Sequence, residues 1–278
     1  VILPCPYWVS YSDMIKLAEG VPVEIPTSLE SDFKMTPEQL EQAITLKTKM
    51  IWFSSPCNPS GSVYSRYELE AIAKVLEKHP NIYVVSDEIY EHINFTEKHF
   101  SIAQIPSMYN RTITVNGVSK AFAMTGWRIG FIGAPDRIAR ACNKMQGQVT
   151  SGANSIAQRA VITAMETDPS AINYMVTEFE KRRNLILSLV NDIPGITCNI
   201  PKGAFYIFPD VSSYFGKTLL GKTINNASDF SMYLLEEALV ATVTGEAFGN
   251  KNCIRISYAA SQEQITEAMT RIAIALKK

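Results

Sequence analysis

Five polar side chains in the first half of the 278-residue sequence have the types and spacing of a catalytic site. They are Asn58 in an Asn-Pro-Ser-Gly segment, Asp87 and Tyr90 in Asp-Glu-Ile-Tyr, Lys120, and Arg128. Taken singly, each has an ordinary explanation, such as a turn at Asn58 or a solvated loop charge at Lys120. Taken together, they supply an amide, a carboxylate, a phenol, an amine and a guanidinium. A shared chemical role explains that combination better than five separate structural ones.

One cofactor uses all of these groups at once. Pyridoxal phosphate needs a lysine that forms a Schiff base with its aldehyde, a carboxylate against its pyridinium nitrogen and an arginine for its phosphate. The Asp87 carboxylate would keep the ring nitrogen protonated, so that the ring can accept an electron pair from the substrate's α-carbon. Tyr90 and Asn58 would hydrogen-bond the ring oxygen and lower the pKa of the neighbouring imine. Arg128 would bind the phosphate through two parallel donors, and Lys120 would supply the amine.

The predicted strands bring these side chains to one place. Short β-branched runs alternate with helix signals, which is typical of an α/β layered sheet. Strands are predicted at residues 50–54, 81–87 and 111–115. Asn58, Asp87 with Tyr90, and Lys120 lie at or just after the carboxyl ends of these three strands. Open α/β sheets bind ligands at that edge, so the sequence predicts a single site there.

Helix starts are marked by local capping signals. Thr36, Ser65 and Ser261 each have a Glu or Gln three residues later, which is the capping-box pattern. Ser12 is predicted to cap a further helix that runs through Ala18.

Length and pattern together predict two domains. At about 150 residues per domain, 278 residues correspond to two modest units. Residues 135–191 are predicted to be mainly helical, and the segment 169–191 is long enough to join two domains. We therefore predict a large domain over residues 1–175 and a smaller α+β domain over residues 176–278. The smaller one is predicted to contain strands at 203–208 and 253–258 and helices at 228–240 and after 261.

Composition excludes several classes of function. Lys and Arg number 26 against 27 Asp and Glu, so no basic field exists to bind a nucleic acid. No apolar run reaches the roughly 20 residues needed to span a bilayer, so we expect no membrane partner. The five cysteines form no CxxC pair and the three histidines form no HExxH motif, so neither a disulfide framework nor a metal site is predicted. A reducing cytoplasm is the expected location.

One motif points to a different chemistry. Residues 216–223 read GKTLLGKT and formally satisfy the phosphate-binding P-loop pattern GxxxxGK[ST]. A P-loop also needs a buried strand before its first glycine and a helix that begins at the Lys-Thr. Neither is predicted here, so we interpret this segment as a surface loop.

The site segments resemble the fold-type I pyridoxal-phosphate aminotransferases, and within them the bacterial aspartate aminotransferase subgroup. The similarity covers essentially the whole chain, and four segments carry it: 6–11 (PYWVSY), 58–61 (NPSG), 87–90 (DEIY) and above all 119–130 (SKAFAMTGWRIG). The resemblance implies a three-layer large domain with a mainly parallel sheet and a smaller α+β C-terminal domain. It also implies a homodimer with active sites at the subunit interface.

The resemblance assigns further roles to single residues. It implies that Lys120 is the Schiff-base lysine and then the general base, with Asp87 and Tyr90 as the other catalytic residues. Trp8 matches the aromatic residue that stacks on the pyridine ring beside the substrate. Arg255 matches the arginine that binds the substrate's α-carboxylate, and Asn58 is implied to contact both cofactor and substrate.

The sequence also departs from the family pattern. Many relatives have a phosphate-binding serine three residues before the lysine, where this chain has Gly117, which leaves Ser119 as the nearby hydroxyl. Family members carry an N-terminal region ahead of the strand at Val1, so we expect the chain to begin within the large domain. A chain without that region is expected to bind the cofactor weakly and to turn over slowly.

The resemblance favours transfer of an amino group between L-aspartate and 2-oxoglutarate. Alanine, aromatic or prephenate substrates remain open, as does a β-lyase that uses the same cofactor. A non-catalytic domain that binds the cofactor and regulates a partner is the alternative from a different class.

Overall fold

The computed structural model describes residues 1–96 and 98–277 and is built around a six-stranded sheet. The strand order is β2-β1-β3-β4-β5-β6, and only the β5–β6 pair is antiparallel. The strands are β1 Ile2–Cys5, β2 Val23–Pro26, β3 Met50–Ser54, β4 Tyr83–Asp87, β5 Thr112–Gly117 and β6 Gly130–Gly133. The sheet is therefore mainly parallel, as the family resemblance implies.

Helices cover both faces of this sheet. They are α1 Ser10–Leu17, α2 Pro37–Ala43, α3 Arg66–Glu77, α4 Pro106–Tyr109, α5 Asp136–Val149 and α6 Ser155–Glu166. Successive residues of β1 show the two faces, since Ile2 packs in a cluster with Leu69 of α3, whereas Leu3 packs with Tyr11 and Ile15 of α1. Because side chains alternate along a strand, this pattern places the sheet between two helical layers. The α/β three-layer architecture is confirmed.

The C-terminal part has its own apolar core. Its helices are α7 Asn173–Asn191, α8 Ala227–Tyr233 and α9 Gln262–Ala275, and a π-helical segment, Leu234–Ala238, continues α8. Its sheet contains β7 Tyr206–Ile207, β10 Val243–Thr244 and β11 Ile254–Ser257 in the antiparallel order β10-β11-β7. The division at residue 175 remains a prediction.

Local signals predict helix starts better than strand lengths. The capping boxes at Thr36, Ser65 and Ser261 are all present. The prediction that Ser12 caps the first helix is wrong, because α1 already begins at Ser10 and Ser12 is buried within it. The strand predicted over 203–208 is reduced to two residues, Tyr206–Ile207.

The P-loop pattern lies in a hairpin. Strands β8 Thr218–Leu219 and β9 Lys222–Thr223 pair antiparallel around Gly221, which has a φ of +77°. The Lys-Thr pair therefore lies in a strand instead of opening a helix, and the interpretation as a surface loop holds. Among the described residues, none of the helices has the length and apolarity that crossing a membrane would require.

Candidate active site

The parallel strands β3, β4 and β5 end at one edge of the sheet, and a cavity of about 440 Å³ opens there. Asp87 is the last residue of β4, Asn58 follows β3 and Lys120 follows β5. The cavity wall includes all seven side chains that the sequence predicts for the site: Trp8, Asn58, Asp87, Tyr90, Lys120, Arg128 and Arg255. The fold therefore brings together residues separated by up to 247 positions.

Asp87 is held by donors on both of its carboxylate oxygens. The Tyr11 hydroxyl donates to Oδ2 at 2.5 Å, and the backbone N–H of Ile89 donates to Oδ1 at 3.1 Å. Burial raises the pKa of the Asp87 carboxyl above its ordinary value, while the hydrogen bond from Tyr11 acts in the opposite direction. Tyr11 itself is buried and stacks on Trp52, with ring centroids 4.4 Å apart. The orientation of the carboxylate is thus fixed by packing as well as by hydrogen bonds.

Two tyrosines line the cavity beside the amine of Lys120. The hydroxyls of Tyr90 and Tyr206 lie 3.0 Å apart, and both side chains are buried. The Lys120 Nζ lies 5.9 Å from the centroids of the Tyr90 and Phe205 rings. Burial raises the pKa of the Tyr90 phenol well above its usual range, so this hydroxyl remains a donor near neutral pH.

The surroundings of Lys120 favour its neutral form. Burial lowers the pKa of the Lys120 amine, and the charges of Arg255 and Arg128 lower it further. Asp87 acts in the opposite direction. A lysine must lose its charge before it can accept a proton, so this environment suits a general base.

Arg255 reaches the same cavity from strand β11. Its Nη1 donates to Asn58 Oδ1 at 3.1 Å, and its guanidinium lies 4.7 Å from the Tyr206 ring centroid and 5.0 Å from that of Phe248. Its Nε is buried without a hydrogen-bond partner among the described residues. This guanidinium has an unused donor and lies close to two aromatic rings at the cavity wall. Such a group is suited to bind a carboxylate.

Two other residues of the cavity wall, Arg128 and Trp8, are exposed. Arg128 is exposed, its Nη1 donates only to the Thr125 carbonyl among the described residues, and its φ is +58°. Trp8 is 37% exposed and meets Tyr11 edge-to-face, with ring centroids 5.5 Å apart. Both side chains border the cavity but keep much of their surface accessible.

A second polar cluster lies beside the site, at the residue that follows Asp87. The buried Glu88 accepts hydrogen bonds from the hydroxyls of Ser86 and Ser101, at 2.8 and 2.6 Å, and its Oε2 lies 2.9 Å from the Nε2 of His99. Ligand atoms of Glu88, Glu91 and His99 lie within 4.8 Å of one another. The hydrogen bonds to Glu88 satisfy its carboxylate, and we assign the cluster a structural role in holding the loop after β4.

Comparison with known proteins identifies the family of the chain. The sequence model of the family described as aminotransferase class I and II matches residues 1–272. The chain belongs to the class I and II aminotransferase family. It is 47% identical to a bifunctional aspartate aminotransferase and glutamate/aspartate-prephenate aminotransferase of Petunia hybrida, over 99% of the chain and 59% of that relative.

Two further relatives give the same result. An aspartate/prephenate aminotransferase of Cereibacter sphaeroides is 47% identical over 98% of the chain and 69% of its own length. The crystal structure of the aspartate aminotransferase from Rhizobium meliloti superimposes with a TM-score of 0.96 at 43% identity, covering 99% of this chain and 70% of that one. The chain spans 59% and 56% of the lengths of the Petunia hybrida relative and an aspartate aminotransferase of Pinus pinaster.

The residues present fit the cofactor of this family. Class I and II aminotransferases of the aspartate aminotransferase type use pyridoxal phosphate. Within one cavity, the chain offers a buried carboxylate, a half-buried amine of lowered pKa and an arginine with a free donor. That donor set matches the ring nitrogen, the aldehyde and the anionic groups of the cofactor and its substrate.

The cavity wall also contains residues to which sequence reasoning gave no role, among them Tyr11 and Tyr206. Tyr11 lies three residues after Trp8, which precedes helix α1, and its backbone N–H donates to the Trp8 carbonyl at 2.9 Å. The short spacing between the two residues is the signal that could have indicated a shared site. Tyr206 ends the Gly-Ala-Phe-Tyr segment, and its contact with Tyr90 joins positions 116 residues apart. No local pattern reports a contact of that kind.

Proposed function

We propose that this chain is the catalytic part of a pyridoxal-phosphate-dependent aminotransferase that moves an amino group between L-aspartate and 2-oxoglutarate. The observation that carries the proposal is that one cavity contains the amine of Lys120, the carboxylate of Asp87 and the guanidinium of Arg255. When bound, pyridoxal phosphate supplies an aldehyde that reacts with amino groups and a ring that accepts electrons from the substrate's α-carbon.

The chain's own residues would hold and move protons around that group. The Asp87 carboxylate would keep a proton on the ring nitrogen, and Tyr90 with Asn58 would hydrogen-bond the ring oxygen. Trp8 would cover one face of the ring, and Arg128 would bind the phosphate. Once neutral, the Lys120 Nζ would take the proton from the substrate's α-carbon and deliver it to the C4′ carbon of the cofactor.

Substrate binding would rest on Arg255 and Asn58. The guanidinium would bind the α-carboxylate that amino and 2-oxo acids share, with the Asn58 amide beside it and Trp8 bordering the pocket. Relatives named as aspartate and aspartate/prephenate aminotransferases support aspartate as the amino donor. Prephenate is the second substrate to test, since the printed names of several relatives include it.

The external surface supports a homodimer as the working form. Helix α5 has no buried residue in the part of the chain that the structure describes, and apolar side chains on α5 and α6 are exposed: Met145, Val149, Ile156 and Met165. Several exposed apolar side chains on two neighbouring helices are typical of an interaction face, and a second copy of the chain is the proposed partner.

All five cysteines are free thiols, which supports a reducing cytoplasm as the location.

The test is a spectroscopic and kinetic comparison of two lysine variants. The chain is reconstituted with pyridoxal phosphate, and transfer to 2-oxoglutarate is measured across a panel of amino acids. We expect the cofactor absorbance band, activity with aspartate, and a loss of at least about a hundredfold in Lys120→Ala. Lys217→Ala is the matched control, because Lys217 also lies over a tyrosine ring but outside the cavity.

Other outcomes would point elsewhere. Pyruvate and ammonia formed without a 2-oxo acid acceptor would indicate a β-lyase. A cofactor band without turnover on any amino acid would indicate a binding domain that regulates a partner. Sedimentation of the same preparation tests whether two copies associate.

A further inference from the structure

The loop that carries Asn58 is held at two points by residues from the C-terminal part. In the cavity, Arg255 Nη1 donates to Asn58 Oδ1 at 3.1 Å. Two residues further along the loop, the Ser60 carbonyl accepts a hydrogen bond from Asn199 Nδ2 at 3.2 Å. Asn199 is buried and lies 139 positions away from Ser60 in the sequence. The loop is therefore fixed by tertiary contacts on either side of its proline.

The Asn199 amide also connects the loop to a partly buried charged group. Its Nδ2 lies 2.9 Å from Asp32 Oδ1 and 3.3 Å from the Ser62 hydroxyl. Asp32 Oδ2 lies 3.4 Å from Lys34 Nζ, which in turn lies 2.6 Å from Glu68. An amide group has two hydrogens, and here three oxygens share them. Removing that group would leave the buried Ser60 carbonyl without a donor among the described residues, whereas Asp32 Oδ1 would keep the Ser62 hydroxyl at 3.3 Å. A buried carbonyl without a donor is costly in a protein interior.

Backbone contacts press the loop against the segment that carries Asn199. The Gly61 carbonyl accepts hydrogen bonds from the N–H groups of Lys202 and Gly203, at 2.8 and 2.9 Å. Gly61 has a φ of +67°, and a Cβ built there would lie 2.5 Å from the Cβ of Pro201. With no space between them, a shift of the 199–203 segment must move the loop as well.

Shortly after residue 203, the chain enters strand β7, which pairs with β11, the strand that carries Arg255. Tyr206 pairs with Ser257 in the antiparallel β7–β11 ladder, and the Tyr206 ring lies beneath the Arg255 guanidinium. Asn58 and Arg255 are therefore placed relative to each other through one continuous stretch of backbone. Asn199 is the side chain by which that stretch holds the Asn58 loop.

We propose that Asn199 is a positioning residue for the carboxylate pocket, acting through the loop to keep the Asn58 amide against the Arg255 guanidinium. This inference rests on the proposed function, since it takes Arg255 and Asn58 as the groups that bind the substrate's carboxylate. Asn199 is not one of the residues that line the cavity. Its loss should therefore weaken carboxylate binding more than it slows the chemical step.

The test compares Asn199→Ala with the wild-type chain, both reconstituted with pyridoxal phosphate. Succinate, a dicarboxylate that cannot react, is titrated by calorimetry, and kcat and KM for aspartate are measured in parallel. We expect the succinate Kd and the aspartate KM to rise by about tenfold and kcat to change by less than about threefold. Asn199→Ser, whose shorter side chain cannot span to the Ser60 carbonyl, gives the same test if Asn199→Ala does not fold.

The matched control is Asn226→Ala. Asn226 caps helix α8 through its side chain, so its loss destabilises the C-terminal part without touching the loop. The control should lower the melting temperature and leave the succinate Kd unchanged. A wild-type succinate Kd in both Asn199 variants, or equal weakening in Asn226→Ala, would overturn the proposal. An inactive wild-type chain with no cofactor band would instead overturn the proposed function.

Discussion

Two parts of the cavity wall, which we call the Asp87 end and the Arg128 end, are built in different ways. At the Asp87 end, the carboxylate is largely buried, both of its oxygens accept hydrogen bonds, and the donor Tyr11 is only 1% exposed. At the Arg128 end, the guanidinium is exposed and donates to the Thr125 carbonyl. One end is assembled from the interior of the sheet, and the other lies on a surface loop.

The difference follows from what each charge needs. A buried carboxylate tends to become neutral, so specific donors are required to keep it ionised. A guanidinium stays charged at any ordinary pH, so the fold needs only to position it within reach of its anionic partner. Loss of a single charged or hydrogen-bonding group at the Asp87 end should therefore change the reactivity of the site. Loss of Arg128 should instead weaken cofactor binding.

The largest expected effect comes from removing the buried charge. Asp87→Ala takes away the partner of the ring nitrogen, and it also removes the negative charge that raises the pKa of Lys120. We expect kcat to fall by about 10²–10³-fold even with saturating cofactor, as is typical when a buried electrostatic contact to the reacting group is lost. Steady-state kinetics over a range of pyridoxal phosphate concentrations measures this. Full recovery of kcat at high pyridoxal phosphate concentration would contradict this prediction. It would mean that Asp87, like Arg128, acts through cofactor affinity.

An intermediate effect is expected at the exposed end. Arg128→Ala should raise the Kd for pyridoxal phosphate by about tenfold to a hundredfold, because a charge-assisted hydrogen bond contributes about 1.5–3 kcal/mol. Activity should recover when the cofactor concentration is raised. Equilibrium dialysis measures the Kd, and Arg140→Ala serves as control, since Arg140 is an exposed arginine of α5 paired with Asp136. An activity loss that no cofactor concentration restores would contradict the prediction.

The sequence predicts the residues of this cavity better than their hydrogen-bond partners. Asn58, Asp87 and Lys120 were placed by a simple rule, since parallel strands end at a common edge. Helix starts at Thr36, Ser65 and Ser261 followed from local capping. Strand limits were less accurate because the ladder ends where neighbouring strands end, as in the two-residue β7.

The features that could not be predicted from the sequence are contacts between distant segments. The hydrogen bond from Tyr11 to Asp87 joins positions 76 residues apart, and the bond from Asn199 to Asp32 joins positions 167 apart. The residue type of Ser12 suits a helix cap, yet tertiary packing buries it within α1. Such contacts depend on the completed fold, so neither residue type nor spacing encodes them.

The smallest expected effect tests the donor that keeps Asp87 ionised. Tyr11→Phe removes a hydrogen bond that lowers the pKa of Asp87, so this pKa should rise and the carboxyl should become neutral at a higher pH. The acidic limb of the kcat profile should then move up by about one pH unit, which corresponds to about 1.4 kcal/mol. The Trp52 stack is kept, so stability should change little. Tyr7→Phe is the matched control, because Tyr7 donates to Glu24 at 2.6 Å outside the cavity. If both variants leave the acidic limb in place, burial alone sets the charge of Asp87, and the hydrogen bonds at this end of the cavity lose their assigned role.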